Sequence, residues 1–246
     1  MRNIRLVIEY DGSRYCGWQK GKGKGDSICE KLEGVLEKME GEKIELIPAI
    51  RTEAGVHAYE QIANFKTNTN MKMYEIKHYL NRFLPMDIAV LEVDEVPERF
   101  HSGFNAKAFT FEYKISMGDV PSVFDRKYNY YSFKKLDGLK MRDGAKYMIG
   151  QHDFKALANN KRMKKSTERK IYDIDIYVGV DEISITLKAD DFWPFLARTM
   201  VGILLQVGRG EIEPKYVKQI IEGNTENYQL EIAEARGLFL QEVSYS

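Results

Sequence analysis

Cysteine is nearly absent from this 246-residue chain. Cys16 and Cys29 are too few for a disulfide framework or a zinc site, so both read as ordinary reduced thiols. An excess of one charge is also missing. The 37 basic and 37 acidic residues leave a formal net charge of zero. That balance weighs mildly against a nucleic-acid binder, although local clustering can still build a basic face. Long hydrophobic runs are lacking too. The most apolar stretch, residues 192–207, is short and carries Pro194 and Arg198, which excludes a membrane span. No signal-peptide pattern opens the chain, and the expected compartment is the cytoplasm. What is present is apolar material: 43% of residues are hydrophobic, enough for a sizeable core and against global disorder. The length fits one large domain or two small ones.

Residues 4–10 are apolar and β-branched and stop at Asp11-Gly12, as a strand does. A basic, glycine-rich loop follows at 20–25. Ser27-Ile28-Cys29-Glu30 is a capping box. Ile28, Leu32, Val35, Leu36 and Met39 then share a helical face, and Gly41 suits the stop. Strands are expected at 44–49, 61–66 and 88–96. A second helix is expected at 73–84, with Met73, Ile76, Leu80 and Phe83 on one side. This order, βαββαβ, is the ferredoxin-like arrangement.

The second half repeats it approximately. Residues 108–116 alternate, with Phe109, Phe111, Tyr113 and Ile115 on one face. A helix is expected at 136–148, a hairpin from 171–180 and 182–189, and a buried helix at 195–206. Pro214 suits the first turn of a short helix ending near Gly223, and 238–245 reads as a closing strand. The expected fold class is α+β: two related ferredoxin-like halves, residues 1–104 and 105–246, with a central, mostly antiparallel sheet. A cleft between the halves is the expected place for a site.

Residues 51–58, Arg-Thr-Glu-Ala-Gly-Val-His-Ala, carry the sharpest signal. They resemble the active-site motif of the tRNA pseudouridine synthase A (TruA) family, Gly-Arg-Thr-Asp-Ala-Gly-Val-His-Ala. Glu53 stands where the family has its catalytic Asp, and Ile50 where it has Gly. Residues 10–19 are similar to the family's opening motif, and Gly150-Gln151-His152-Asp153-Phe154 to its Gly-x-His-Asp-Phe segment. Thr167 to Ile171, Phe192 to Gly210 and Gly237 to Leu240 resemble its later motifs in order. The resemblance covers essentially the whole chain.

That resemblance implies a pseudouridine-synthase fold and a homodimer that isomerises uridine in the tRNA anticodon stem-loop, with no metal or other cofactor. The reaction breaks the C1′–N1 glycosidic bond and re-forms it at C5. It needs an ionised, well-placed carboxylate beside a flipped-out nucleotide, an Arg to hold it, and an aromatic ring against the base. By family position Glu53 is the carboxylate, Arg198 its partner and Phe111 the stacking ring, where Tyr is usual. Arg198 also interrupts an apolar helix and must find a partner or reach solvent. The family usually has Arg where Gly103 stands.

Arg51 matches the Arg that helps expel the target base. Arg14, in the opening motif, and two basic clusters are candidate RNA contacts: Lys20, Lys22 and Lys24, and Lys161, Arg162, Lys164 and Lys165. His57 and His152 lack a partner pattern for metal or triad chemistry and read as structural.

The extra methylene of Glu53 moves the carboxylate by about 1.3 Å if nothing compensates, and roughly 1 Å of misplacement can cost on the order of 10²-fold in rate. Two readings stay open: a glutamate-based pseudouridine synthase, or a non-catalytic RNA-binding paralogue acting on tRNA or other structured RNA.

Overall fold

The first strand, β1 (Arg2–Tyr10), places Ile4, Leu6, Ile8 and Tyr10 in the core and pairs antiparallel on both sides. The computed structural model describes residues 1–19, 25–158, 166–226 and 228–246. Helix α1 (Ile28–Glu40) starts at the expected capping box: the Glu30 N–H donates to the Ser27 hydroxyl, and the Glu30 carboxylate accepts from the Ser27 N–H. Gly41 ends the helix. Strands β2 (Ile47–Pro48) and β3 (His57–Thr67), helix α2 (Met73–Phe83) and strand β4 (Ile88–Val96) follow. The sheet order β4-β1-β3-β2, antiparallel throughout, is that of a ferredoxin-like βαββαβ unit.

Two expectations change here. The strand expected at 44–49 shrinks to Ile47–Pro48. Pro48 has no N–H to donate, and the Leu46 N–H goes to the Glu33 carboxylate instead of a ladder. Phe83, expected on the buried side of α2, is 53% exposed. The helix ends at Phe83 and its ring folds back on Tyr79, while Leu84 occupies the core.

The chain packs as two units, residues 1–107 with 239–246, and residues 108–238. In the second unit, β5 (Ala108–Ser116), β9 (Glu182–Ala189), β8 (Glu168–Val178) and β7 (Gly150–Asp153) lie side by side, each antiparallel to its neighbour. The short β6 (Tyr130–Tyr131) runs parallel to β5. The hairpin of β8 and β9 turns through Gly179, whose N–H donates to the Glu182 carbonyl.

Helix α3 (Gly138–Ala145) is shorter than the 136–148 expected, because the Asp137 carboxylate caps the N–H groups of Leu139 and Lys140. Helix α4 (Leu196–Gly208) is buried almost all round, and each fully buried Ile or Leu in it stabilises the unit by about 1.5–3 kcal/mol. Helix α5 (Tyr216–Ile221) follows Pro214. The last strand, β10 (Leu238–Ser244), pairs parallel to β3 through Phe239 and Leu240, within the first unit.

Candidate active site

Arg51 and Glu53 sit on the loop between β2 and β3, and that loop is tied down along its length. Gln61 Nε2 donates to the Ile50 carbonyl at 2.8 Å. The Trp18 N–H donates to the Thr52 carbonyl at 3.0 Å. The buried Thr52 hydroxyl pairs with the Tyr10 hydroxyl at 2.7 Å. The Val56 N–H donates to the Glu53 carbonyl at 3.2 Å, closing a turn in which Gly55 takes a φ of 78°. Tyr10 is fully buried, and burial pushes its hydroxyl up to about 12 against smaller opposing hydrogen bonds from Thr52 and Gln61. It therefore stays protonated and able to bond Thr52. Glu53 itself is half-buried, and Arg51 is exposed.

The opening motif packs against this loop. A Cβ at Gly12 would lie 2.0 Å from the Val56 carbonyl oxygen, and one at Gly17 would lie 2.7 Å from that of Thr52. No side chain fits at either place, so glycine is what lets the two segments meet. Asp11 accepts the Ser13 N–H at 2.8 Å and holds the turn. His57 is buried, accepts the Gly12 N–H at its Nδ1 and stacks on Phe239 at 4.6 Å. It acts as a brace. Tyr10 and Trp18 are core residues. Arg14 is exposed and bonded to Asp87.

In the second unit, Phe111 is 4% exposed and meets Phe192 edge-on at 5.1 Å. Arg198 lies in the first turn of α4 and is half-buried. Its Nε donates to the Ala233 carbonyl at 2.6 Å, and its own carbonyl accepts the Ala233 N–H at 3.0 Å. Its guanidinium lies over the Phe195 ring at 5.5 Å. Phe195 precedes the helix with a φ of 73°, a conformation that costs a non-glycine residue about 1–3 kcal/mol and that clusters at functional sites. Nearby, Tyr113 is fully buried, its hydroxyl has no hydrogen-bond partner among the described residues, and burial together with Glu234 raises it far above the ordinary tyrosine range.

The segment bearing Ala233 is itself fixed to α4. Gln206 bonds the Gln229 carbonyl and the Glu231 N–H, and Arg209 pairs with Glu231. Lys20, Lys22, Lys24, Lys161, Arg162, Lys164 and Lys165 lie outside the described residues.

Sequence reasoning missed the braces Thr52, Gln61 and Ala233. Each acts through a hydrogen bond to a residue distant in sequence, and no periodicity marks such a bond.

The sequence pattern of the tRNA pseudouridine synthase family matches residues 6–105 and 145–246. Two curated relatives align over 245 residues, covering 100% of both chains: tRNA pseudouridine synthase A from Bacillus sp. (strain KSM-64), 44% identical, and tRNA pseudouridine synthase A 2 from Bacillus cereus (strain ZK / E33L), 38% identical. The chain belongs to the tRNA pseudouridine synthase family. The family pattern spans Arg14, Arg51, Glu53 and Arg198, while Phe111 falls between its two matched segments. Among the described residues, no helix is long and apolar enough to cross a membrane.

Proposed function

We infer that this chain is a tRNA pseudouridine synthase that isomerises uridine in the anticodon stem-loop, with Glu53 as its catalytic carboxylate. The observation that carries this is the bracing of the loop from Ile50 to Val56, which holds the Glu53 backbone in one place before any RNA arrives. Preorganisation of this kind is what positioning catalysis requires.

In the reaction the C1′–N1 bond breaks, the uracil turns, and C5 bonds to C1′. The C5 proton then leaves and N1 ends protonated. Glu53 acts at the sugar or the base. Arg51, exposed on the same loop, occupies the space a flipped uridine vacates. By family position Arg198, whose Nε donates to the Ala233 carbonyl, is the cation of the reaction and Phe111 the aromatic ring. Arg14 and the two lysine clusters track phosphates. The protein acts as a homodimer in the cytoplasm. What supports the dimer is a set of exposed apolar side chains between β5 and α3, namely Val120, Val123, Phe124 and Phe133.

A non-catalytic RNA-binding paralogue is the second reading. The observation in its favour is that Phe111 is buried and has no hydroxyl to offer a substrate.

Tritium release from tRNA labelled at uridine C5 tests both. Release by the wild type that vanishes in Glu53→Gln is the expected result. Binding of the stem-loop with no release by the wild type or by Glu53→Asp establishes the paralogue. Release restored only in Glu53→Asp means that the added methylene alone silences the site.

A further inference from the structure

We propose that Phe104, stacked on His101, is an aromatic platform for a nucleobase neighbouring the target uridine. This rests on the reading of the chain as acting on RNA and adds a contact to it.

Phe104 is 86% exposed, yet it is not loosely held. Its ring lies 4.0 Å from that of His101, at 22°. The N–H groups of Gly103 and Phe104 both donate to His101 Nδ1 at 3.1 Å, which fixes the imidazole beneath it. The His101 N–H donates to Asn105 Oδ1 at 2.8 Å, and the Asn105 N–H donates to the His101 carbonyl at 3.0 Å, closing the loop on itself. Ser102 anchors that loop to the core. Its hydroxyl and N–H donate to Asn64 Oδ1 at 2.6 and 2.9 Å, and its carbonyl accepts the Tyr245 hydroxyl at 2.9 Å.

The mount sits beside the candidate catalytic loop. A Cβ at Gly103 would lie 3.2 Å from the Ala49 carbonyl oxygen and 3.4 Å from that of Pro48, the two residues leading into Ile50. Two cations, Arg99 and Lys107, are exposed at the ends of the segment.

Single exposed apolar residues are ordinary on protein surfaces. A ring mounted on a second, immobilised ring and flanked by exposed cations is a different object. Aromatic faces with nearby positive charge are how proteins hold unpaired bases, largely without regard to sequence. Extracting a nucleotide from its stack leaves the neighbouring base with one bare face, and a fixed ring next to the catalytic loop can cover it.

The test uses an anticodon stem-loop RNA carrying 5-iodouridine on either side of the target uridine, with binding and photocrosslinking measured at low salt. The wild type and Phe104→Trp are expected to bind and crosslink at residue 104. Phe104→Ala should lose that crosslink and bind on the order of 10-fold more weakly. Its thermal midpoint should stay unchanged, because the side chain is outside the core. Binding and crosslinking by Phe104→Ala equal to the wild type overturns the platform and leaves the enzyme reading intact. Absence of stem-loop binding by the wild type overturns the RNA reading and the platform with it.

Discussion

Tyr10 and Thr52 show how the fold reaches the site through single atoms. Their hydroxyls meet at 2.7 Å in the core, and Gln61 adds a longer contact to Tyr10 and a firm one to the Ile50 carbonyl. Replacing Tyr10 by Phe leaves the buried Thr52 hydroxyl without that partner, which costs about 1–3 kcal/mol of stability. It also loosens the turn one residue before Glu53. The expected kinetic result is a kcat at least about 10-fold lower with KM little changed, because positioning is lost and RNA contacts are kept. Steady-state tritium-release kinetics, with a denaturant titration alongside, measure both; a KM effect alone would place Tyr10 in binding. The loop that carries Arg51 and Glu53 stands out in the sequence because its motif is contiguous. The partner of Tyr10 was not. It lies 42 residues away and is brought near by the pairing of β1 with β3, which sets Tyr10 opposite Ala58.

At the scale of elements, α4 carries Arg198 and also accommodates the segment that orients it. A Cβ at Gly202 would lie 1.9 Å from the Glu231 carbonyl oxygen. In an open helix, Gly→Ala gains about 1 kcal/mol. Here the segment cannot recede, because Gln206 and Arg209 hold Glu231. Gly202→Ala is therefore expected to destabilise by about 1–3 kcal/mol net of the helix gain. It should also draw the Ala233 carbonyl away from Arg198 and lower kcat on the order of 10-fold. Full activity in a stably folded Gly202→Ala would show that Ala233 does not position Arg198. Most long elements were visible beforehand, since α1 announces itself by its capping box and β5 by its alternation. The short ones were not. Strands β6 and β7 have two and four residues, too few for a period to declare itself. The partner of β10 was equally hidden, since an apolar alternating strand reads the same whichever neighbour it joins; its parallel pairing with β3 is a non-local choice.

At the scale of the whole molecule, the core holds several weak acids that must keep their protons. Burial raises Tyr10 and Tyr15 from 10.0 to about 12, and Cys29 from 9.0 to about 12 with help from Glu33. It carries Tyr113 higher still, and partial burial does the same for Tyr245 at the edge of the core. In each case the folded value exceeds the unfolded one, so the associated stability is whole below the unfolded value. It drains away as pH rises toward the folded value, because the unfolded chain ionises first. For Cys29 the loss begins near pH 9 and for the tyrosines near pH 10. For the fully buried Tyr10, two units amount to about 3 kcal/mol. The expected behaviour is a cooperative alkaline transition between pH 10 and 12, in which buried tyrosinate absorbance and loss of helical circular dichroism appear together. Tyr10→Phe separates this from general charge repulsion. The variant starts less stable at neutral pH, but its stability should fall less steeply through the window, by about 1.4 kcal/mol per pH unit for the one proton no longer withheld. A slope identical to that of the wild type would mean that the Tyr10 hydroxyl ionises inside the folded protein at its ordinary value, and that its burial contributes nothing to the alkaline transition.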